Sequence, residues 1–126
     1  MSNPSKQKGT AAETAVVRLM HELGLEDARR VTLAGILDQG DIHQGRATFQ
    51  VKAWAKFSDA DVDQWLREVE QQRLNSKMSF GYLIVKRPGK GKAYDWHLYY
   101  STLEFGPVCF RLGPWLTARA ALYEAE

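Results

Sequence analysis

The chain has 126 residues, 44% of them hydrophobic and 25% charged, which fits one domain with one core and excludes long disorder or a fibrous repeat. Seventeen Lys and Arg against fifteen Asp and Glu leave a net charge of +2, so the chain as a whole is not a strongly basic nucleic-acid binder. Its one cysteine, Cys109, excludes an internal disulfide framework and a cysteine-rich zinc site.

Residues 1–9 are polar and read as a loose start. Thr10, with Glu13 three residues later, has the spacing of a capping box. Ala12, Ala15, Val16, Leu19, Met20 and Leu23 then recur at helical period, and Gly24 ends the run. Arg30 to Ala34 reads as a short strand. Gly35 to Gly45 is rich in Gly and Asp, with an extended piece near Asp41 and Ile42. Ala47 to Trp54 alternates, with Phe49, Val51 and Ala53 on one face and Thr48, Gln50, Lys52 and Trp54 on the other. Ser58 or Asp59 caps a second helix carried by Val62, Trp65, Leu66 and Val69. Ser79 to Val85 reads as a buried strand, RPGKGK as a turn, Asp95 to Tyr100 as a strand, and a short helix follows from about Thr117. The order α-β-β-β-α-β-β-α predicts a single α/β or α+β domain with a mixed sheet.

No apolar run reaches the length of a membrane span, and MSNPSKQKGT lacks the apolar stretch of a signal peptide. A cytoplasmic protein that makes no membrane contact is expected. The charges are also segregated. Asp59 to Glu70 holds five acids and one base, whereas Arg73 to Lys92 holds six bases and no acid. Such a dipolar surface offers a polyanion one basic face, although charged loops also serve solubility.

Asp41 closes a Gly-bounded turn, and Gln50 and Lys52 follow on one strand face. If the two extended pieces pair as a hairpin, an acid, an amide oxygen and a lysine converge. That grouping suits phosphodiester hydrolysis, in which oxygen ligands hold Mg²⁺ and a cation offsets charge on the phosphate. Each residue also has an ordinary reading: a turn aspartate, a surface glutamine and a solvated strand lysine. Glu13 sits at the margin of an apolar helix stripe, where it either caps the helix or points toward a site.

The pattern G-D-I, a short turn, then F-Q-V-K-A resembles the PD-(D/E)XK nuclease superfamily. GTAAETAVVRL at 9–19 and LAGILDQGDI at 33–42 are similar to its phage-type Holliday junction resolvases, as are WLREVEQQRLN at 65–75 and LIVKRPGKG at 83–91. The resemblance covers roughly residues 9–100. It implies a restriction-endonuclease-like fold, a central mixed sheet flanked by helices. It implies Asp41 as central metal ligand, Lys52 as catalytic lysine, Glu13 as the helix-borne acid assisting the metal, and the Val51 carbonyl as a further ligand. Gln50 stands where the family normally has Glu or Asp. An amide still ligates a metal, but without charge. A natural variant, an inactive relative and an engineered substitution all fit this departure. Asp38 is an outer-sphere candidate. The implied cofactor is Mg²⁺, with Mn²⁺ able to substitute, and no nucleotide cofactor is implied.

The turn Lys86-Arg87-Pro88-Gly89-Lys90-Gly91-Lys92 projects four cations suited to phosphate contacts. Lys6, Lys8, Arg29, Arg30 and Arg73 are further DNA-binding candidates. No segment resembles a major-groove reading helix, which favours recognition of DNA shape. The resemblance implies a homodimer acting on branched DNA, a four-way junction, in a bacterial host cytoplasm if the gene is a phage's. Residues 103–126, opening with LEFGPVCFRLGPWL, are expected to cover the sheet or form the dimer contact. An inactive junction-binding module, a nicking or restriction-type nuclease and a protein-interaction subunit are the alternatives. His21, His43 and His97 are too dispersed for a metal triad. Trp54, near Lys52, is the one tryptophan with a candidate base-stacking role, and Cys109 reads as inert.

Overall fold

The computed structural model describes residues 4–32 and 37–124. The elements run α1 (Pro4–Glu22), β1 (Arg29–Arg30), β2 (Ile42–Gln44), β3 (Ala47–Lys52), α2 (Asp59–Ser76), β4 (Phe80–Val85), a 3₁₀ turn (Ala93–Asp95), β5 (His97–Thr102), β6 (Gly106–Arg111) and α3 (Leu112–Glu124). The six strands form one sheet in chain order. Only β3 and β4 are parallel, and α2 makes the crossover between them. The fold is α+β with a mixed sheet, as the hydrophobic pattern predicts.

Two apolar layers sandwich β3 and β4. On one face Ala12, Val16 and Met20 of α1 and Leu112, Leu116 and Ala120 of α3 meet Phe49, Val51, Ile84 and Leu98. Phe49, fully buried, stacks on Tyr82 at 5.3 Å and meets the edge of Trp115 at 6.4 Å. On the other face Val62, Trp65, Leu66 and Val69 of α2 cover Leu83 and Val85. Ser58 caps α2 in a reciprocal capping box with Asp61, and Lys77 ends it in a left-handed conformation, φ 60°.

Several expectations need correction. Helix α1 begins at Pro4, so residues 4–9 are helical rather than loose, and Thr10 is inside the helix and caps nothing. The Thr14 hydroxyl donates to the Thr10 carbonyl, and Glu13 has no capping duty. Of the expected strand over Arg30 to Ala34, Arg30 lies in β1, Val31 and Thr32 are in no strand, and the rest falls on residues 33–36, outside the described residues. Of the two readings of the polar face of β3, the solvated one does not hold: Thr48 is buried and Gln50 and Lys52 are half-buried beneath α2. A strand not foreseen, β6, precedes α3, and α3 starts five residues before Thr117. Among the described residues no helix is long and apolar enough to cross a membrane.

Candidate active site

Asp41 enters β2 from a tightly specified turn. Gly40 has φ +94°, and a Cβ there would run into the Thr48 hydroxyl. The Asp41 N–H donates to the Phe49 carbonyl at 2.9 Å, and the Val51 N–H donates to Asp41 Oδ2 at 2.8 Å. In an extended strand the N–H and C=O of one residue point to the same side, so the Val51 carbonyl is directed to the β2 side of β3. Burial pushes the Asp41 carboxyl up to about 7; the Val51 N–H opposes this, and the neighbouring Glu13 and Asp38 carboxylates reinforce it.

Glu13 comes from α1, and its side chain is 16% exposed. Its Oε2 lies 3.5 Å from Arg30 Nη2, so a β1 cation borders the acidic pair. Gln50 lies under α2, and its Oε1 is buried with no hydrogen-bond partner among the described residues. Lys52 Nζ is 3.5 Å from Glu68 Oε2 and 5.6 Å from the centre of the Trp65 ring, and its side chain is 19% exposed. The loop carrying Asp38 is fastened to α2: Gln72 Nε2 donates to Asp38 Oδ2 at 2.8 Å and Asn75 Nδ2 to its carbonyl at 2.8 Å. Asp38 Oδ1 accepts from the Gly40 N–H at 3.0 Å. Asp38 thus ties the turn together beside Asp41.

Among the described residues no group of three or more His, Cys, Asp or Glu is arranged to hold a metal ion. The donors here are instead two carboxylates, an amide and a peptide carbonyl, all oxygen, which is the chemistry of Mg²⁺ rather than of Zn²⁺. Two features fit a cation: a buried amide oxygen left unpartnered, and carboxylates crowded until one holds its proton near neutrality. Both are costs that a divalent ion removes.

A cleft of about 520 Å³ opens beside the end of β3, lined by Gly9, Val51, Lys52, Ala53, Trp54 and Lys56. Trp54 is 54% exposed and rests edge-on against Trp65, with ring centres 5.3 Å apart. The basic turn starts at the same end of the sheet, because the Lys86 N–H donates to the Lys52 carbonyl at 2.9 Å. Lys86, Lys90 and Lys92 are exposed, Arg87 is half-buried, and none of the four makes an ion pair among the described residues. The turn is anchored: the indole N–H of buried Trp96 donates to the Lys90 carbonyl at 2.8 Å.

The other basic candidates scatter. Arg29 and Arg30 are exposed on β1, and Arg30 borders the acids. Arg73 lies at the far end of β4, a strand about 17 Å long, and both of its guanidinium arms are committed, to Glu70 and to the Met78 carbonyl. It does not join the basic turn. Lys6 and Lys8 belong to the opening turns of α1, and their side chains lie outside the described residues. His21 and His43 bond the carbonyls of Ala28 and Gln39, in keeping with structural roles.

Glu68, Gln72 and Asn75, none of them a candidate from the sequence, also border the site. Their spacing from Trp65 along one line of α2 is the signal that could have found them. No family model matches the chain, and no curated protein or solved structure matches it either.

Proposed function

We propose that the protein is a metal-dependent, structure-selective DNA endonuclease, in its most specific form a Holliday junction resolvase. One observation carries the reading: Asp41, pressed against Glu13 and held by the Val51 N–H, shares the end of the β2–β3 hairpin with the unpartnered Gln50 oxygen and with Lys52. Asp41, Glu13, Gln50 and the Val51 carbonyl would hold Mg²⁺ or Mn²⁺. When bound, the ion supplies a Lewis acid for the phosphodiester and lowers the pKa of water at the site. Lys52 then faces the phosphate and offsets its developing charge. The neighbouring cleft and basic turn take the DNA backbone. Trp54 presents an exposed ring beside that path.

Two symmetric cuts in a junction call for two copies of the chain related by a two-fold axis. Strand β6 is an open sheet edge, and Leu103 and Phe105 in the preceding turn are 108% and 78% exposed. We place the dimer contact there.

Four-way junctions incubated with Mg²⁺ or Mn²⁺ are expected to show paired symmetric cuts, lost in Asp41→Ala and lowered to a small residual single-turnover rate in Lys52→Ala. A wild-type protein silent on junctions, forks and duplexes alike overturns the enzymatic reading. The amide at Gln50 favours one second reading, a junction-binding module without activity. It expects salt-dependent binding and no cleavage after long incubation with Mn²⁺.

A further inference from the structure

Helix α2 packs its apolar residues on β3 and β4, and beside them runs a mainly polar line. Trp65, Glu68, Gln72 and Asn75 follow one another at three, four and three residues, so they lie along one face over about 15 Å of helix. Each touches one of two parts of the candidate site. Trp65 and Glu68 hold the Lys52 ammonium, by its ring face at 5.6 Å and its carboxylate at 3.5 Å. Gln72 and Asn75 hold Asp38, three residues before Asp41, by its carboxylate and its carbonyl. The lysine and the acid-bearing turn are therefore set against the same rigid rod.

These contacts differ in what they do for the fold. Gln72 is 2% exposed and belongs to the packed interior. The Glu68 side chain is 41% exposed, and an ion pair at such a place adds little to stability. Its geometry nevertheless fixes the ammonium of Lys52, the candidate catalytic cation. A lysine has four rotatable bonds and many resting places, and catalysis needs it in one.

We propose that Glu68 is the positioning residue for Lys52, and that the line Glu68–Gln72–Asn75 sets the spacing between that lysine and the Asp41 turn. The proposal rests on the nuclease reading. Glu68 touches neither phosphate nor metal; it acts through Lys52.

The test is a double-mutant cycle on junction cleavage with Mg²⁺, using Glu68→Gln, Lys52→Ala and the double variant. Binding is read separately in Ca²⁺, and lysine acetylation is read by mass spectrometry without metal. Glu68→Gln is expected to lower the single-turnover rate about tenfold, as loss of an outer orienting partner does. Junction affinity and melting temperature stay at wild-type values. In the Lys52→Ala background the Glu68 change has no further effect. Acetylation of Lys52 rises several-fold in Glu68→Gln, while that of Lys90 does not change. A wild-type rate in Glu68→Gln, an additive double variant, or unchanged Lys52 acetylation each overturns the proposal. A wild type that cleaves and loses most of its activity in Lys52→Ala, yet is indifferent to Glu68→Gln, overturns this role alone. A wild type that cleaves nothing overturns the nuclease reading and this role with it.

Discussion

Replacing Asp41 by Asn is expected to make the metal-free protein more stable at pH 8 while abolishing its activity. The Asp41 carboxyl is held at about 7, against an ordinary 3.8, chiefly because it is buried. A folded-state value above the unfolded one means that the folded chain binds the proton more tightly. Below pH 4 both states are protonated and nothing is lost. Between pH 4 and 7 the folded state holds a proton that the unfolded state has released, so stability falls as pH rises. Above pH 7 the full cost is present. The gap between 3.8 and about 7 corresponds to a ceiling of about 4 kcal/mol. Asn keeps an oxygen to accept the Val51 N–H and carries no charge. Allowing for water that still reaches the carboxyl, we expect Asp41→Asn to gain about 2 kcal/mol at pH 8 and to match wild type at pH 4. Urea denaturation in EDTA at the two pH values measures this. Adding Mg²⁺ should stabilise wild type and leave the variant unchanged. A variant no more stable than wild type at pH 8, or a difference that does not shrink toward pH 4, refutes the argument.

Gln50→Glu adds a third carboxylate to Glu13 and Asp41, so it should tighten Mg²⁺ binding, measured by calorimetry, and lower metal-free stability by about 1–3 kcal/mol. If the basic turn takes the DNA backbone as proposed, removing two of its exposed cations with Lys90→Ala and Lys92→Ala should reduce the slope of log affinity against log salt by about 2, read from junction binding in Ca²⁺. Gly40→Ala forces a side chain onto the Thr48 hydroxyl at a positive φ, so it should cost about 2 kcal/mol and weaken Mg²⁺ binding together. If the proposed dimer contact is right, wild type should sediment as a dimer in analytical ultracentrifugation and Phe105→Asp, in the turn before β6, as a monomer with unchanged melting behaviour.

The parts of the molecule legible in the sequence are those whose local pattern agrees with their burial. Helix α2 has a strong cap at Ser58 and apolar residues at 62, 65, 66 and 69, and it forms as read. The grouping of Asp41 with Gln50 and Lys52 followed from strand alternation plus a hairpin, and both are present. What escaped is set by tertiary neighbours. Strand β6 contains Pro107 and no clean alternation, which is tolerated because it is an edge strand with exposed residues. Helix α3 starts through Gly113 and Pro114, which read as breakers yet fit a first helical turn. Helix α1 extends back to Pro4, where proline suits a helix start, so the Thr10–Glu13 spacing was coincidental. For the polar face of β3 a site and a solvated face both stayed open, because pairwise partners such as Lys52 and Glu68 are sixteen residues apart and carry no local signature.

The hydrogen bond from the Trp96 indole to the Lys90 carbonyl has a thermodynamic consequence. A loop that orders only when it meets its ligand spends about 1–2 kcal/mol per residue in lost backbone freedom at that moment. Here the Arg87–Lys90 turn closes on itself at 3.1 Å and is tied to a buried ring, so that loss falls on folding. Under the proposed function, encounter with DNA would be left with little more than counterion release and the settling of lysine side chains. Its enthalpy should be small, its association rate should follow ionic strength, and its free energy should be dominated by entropy gained by displaced salt.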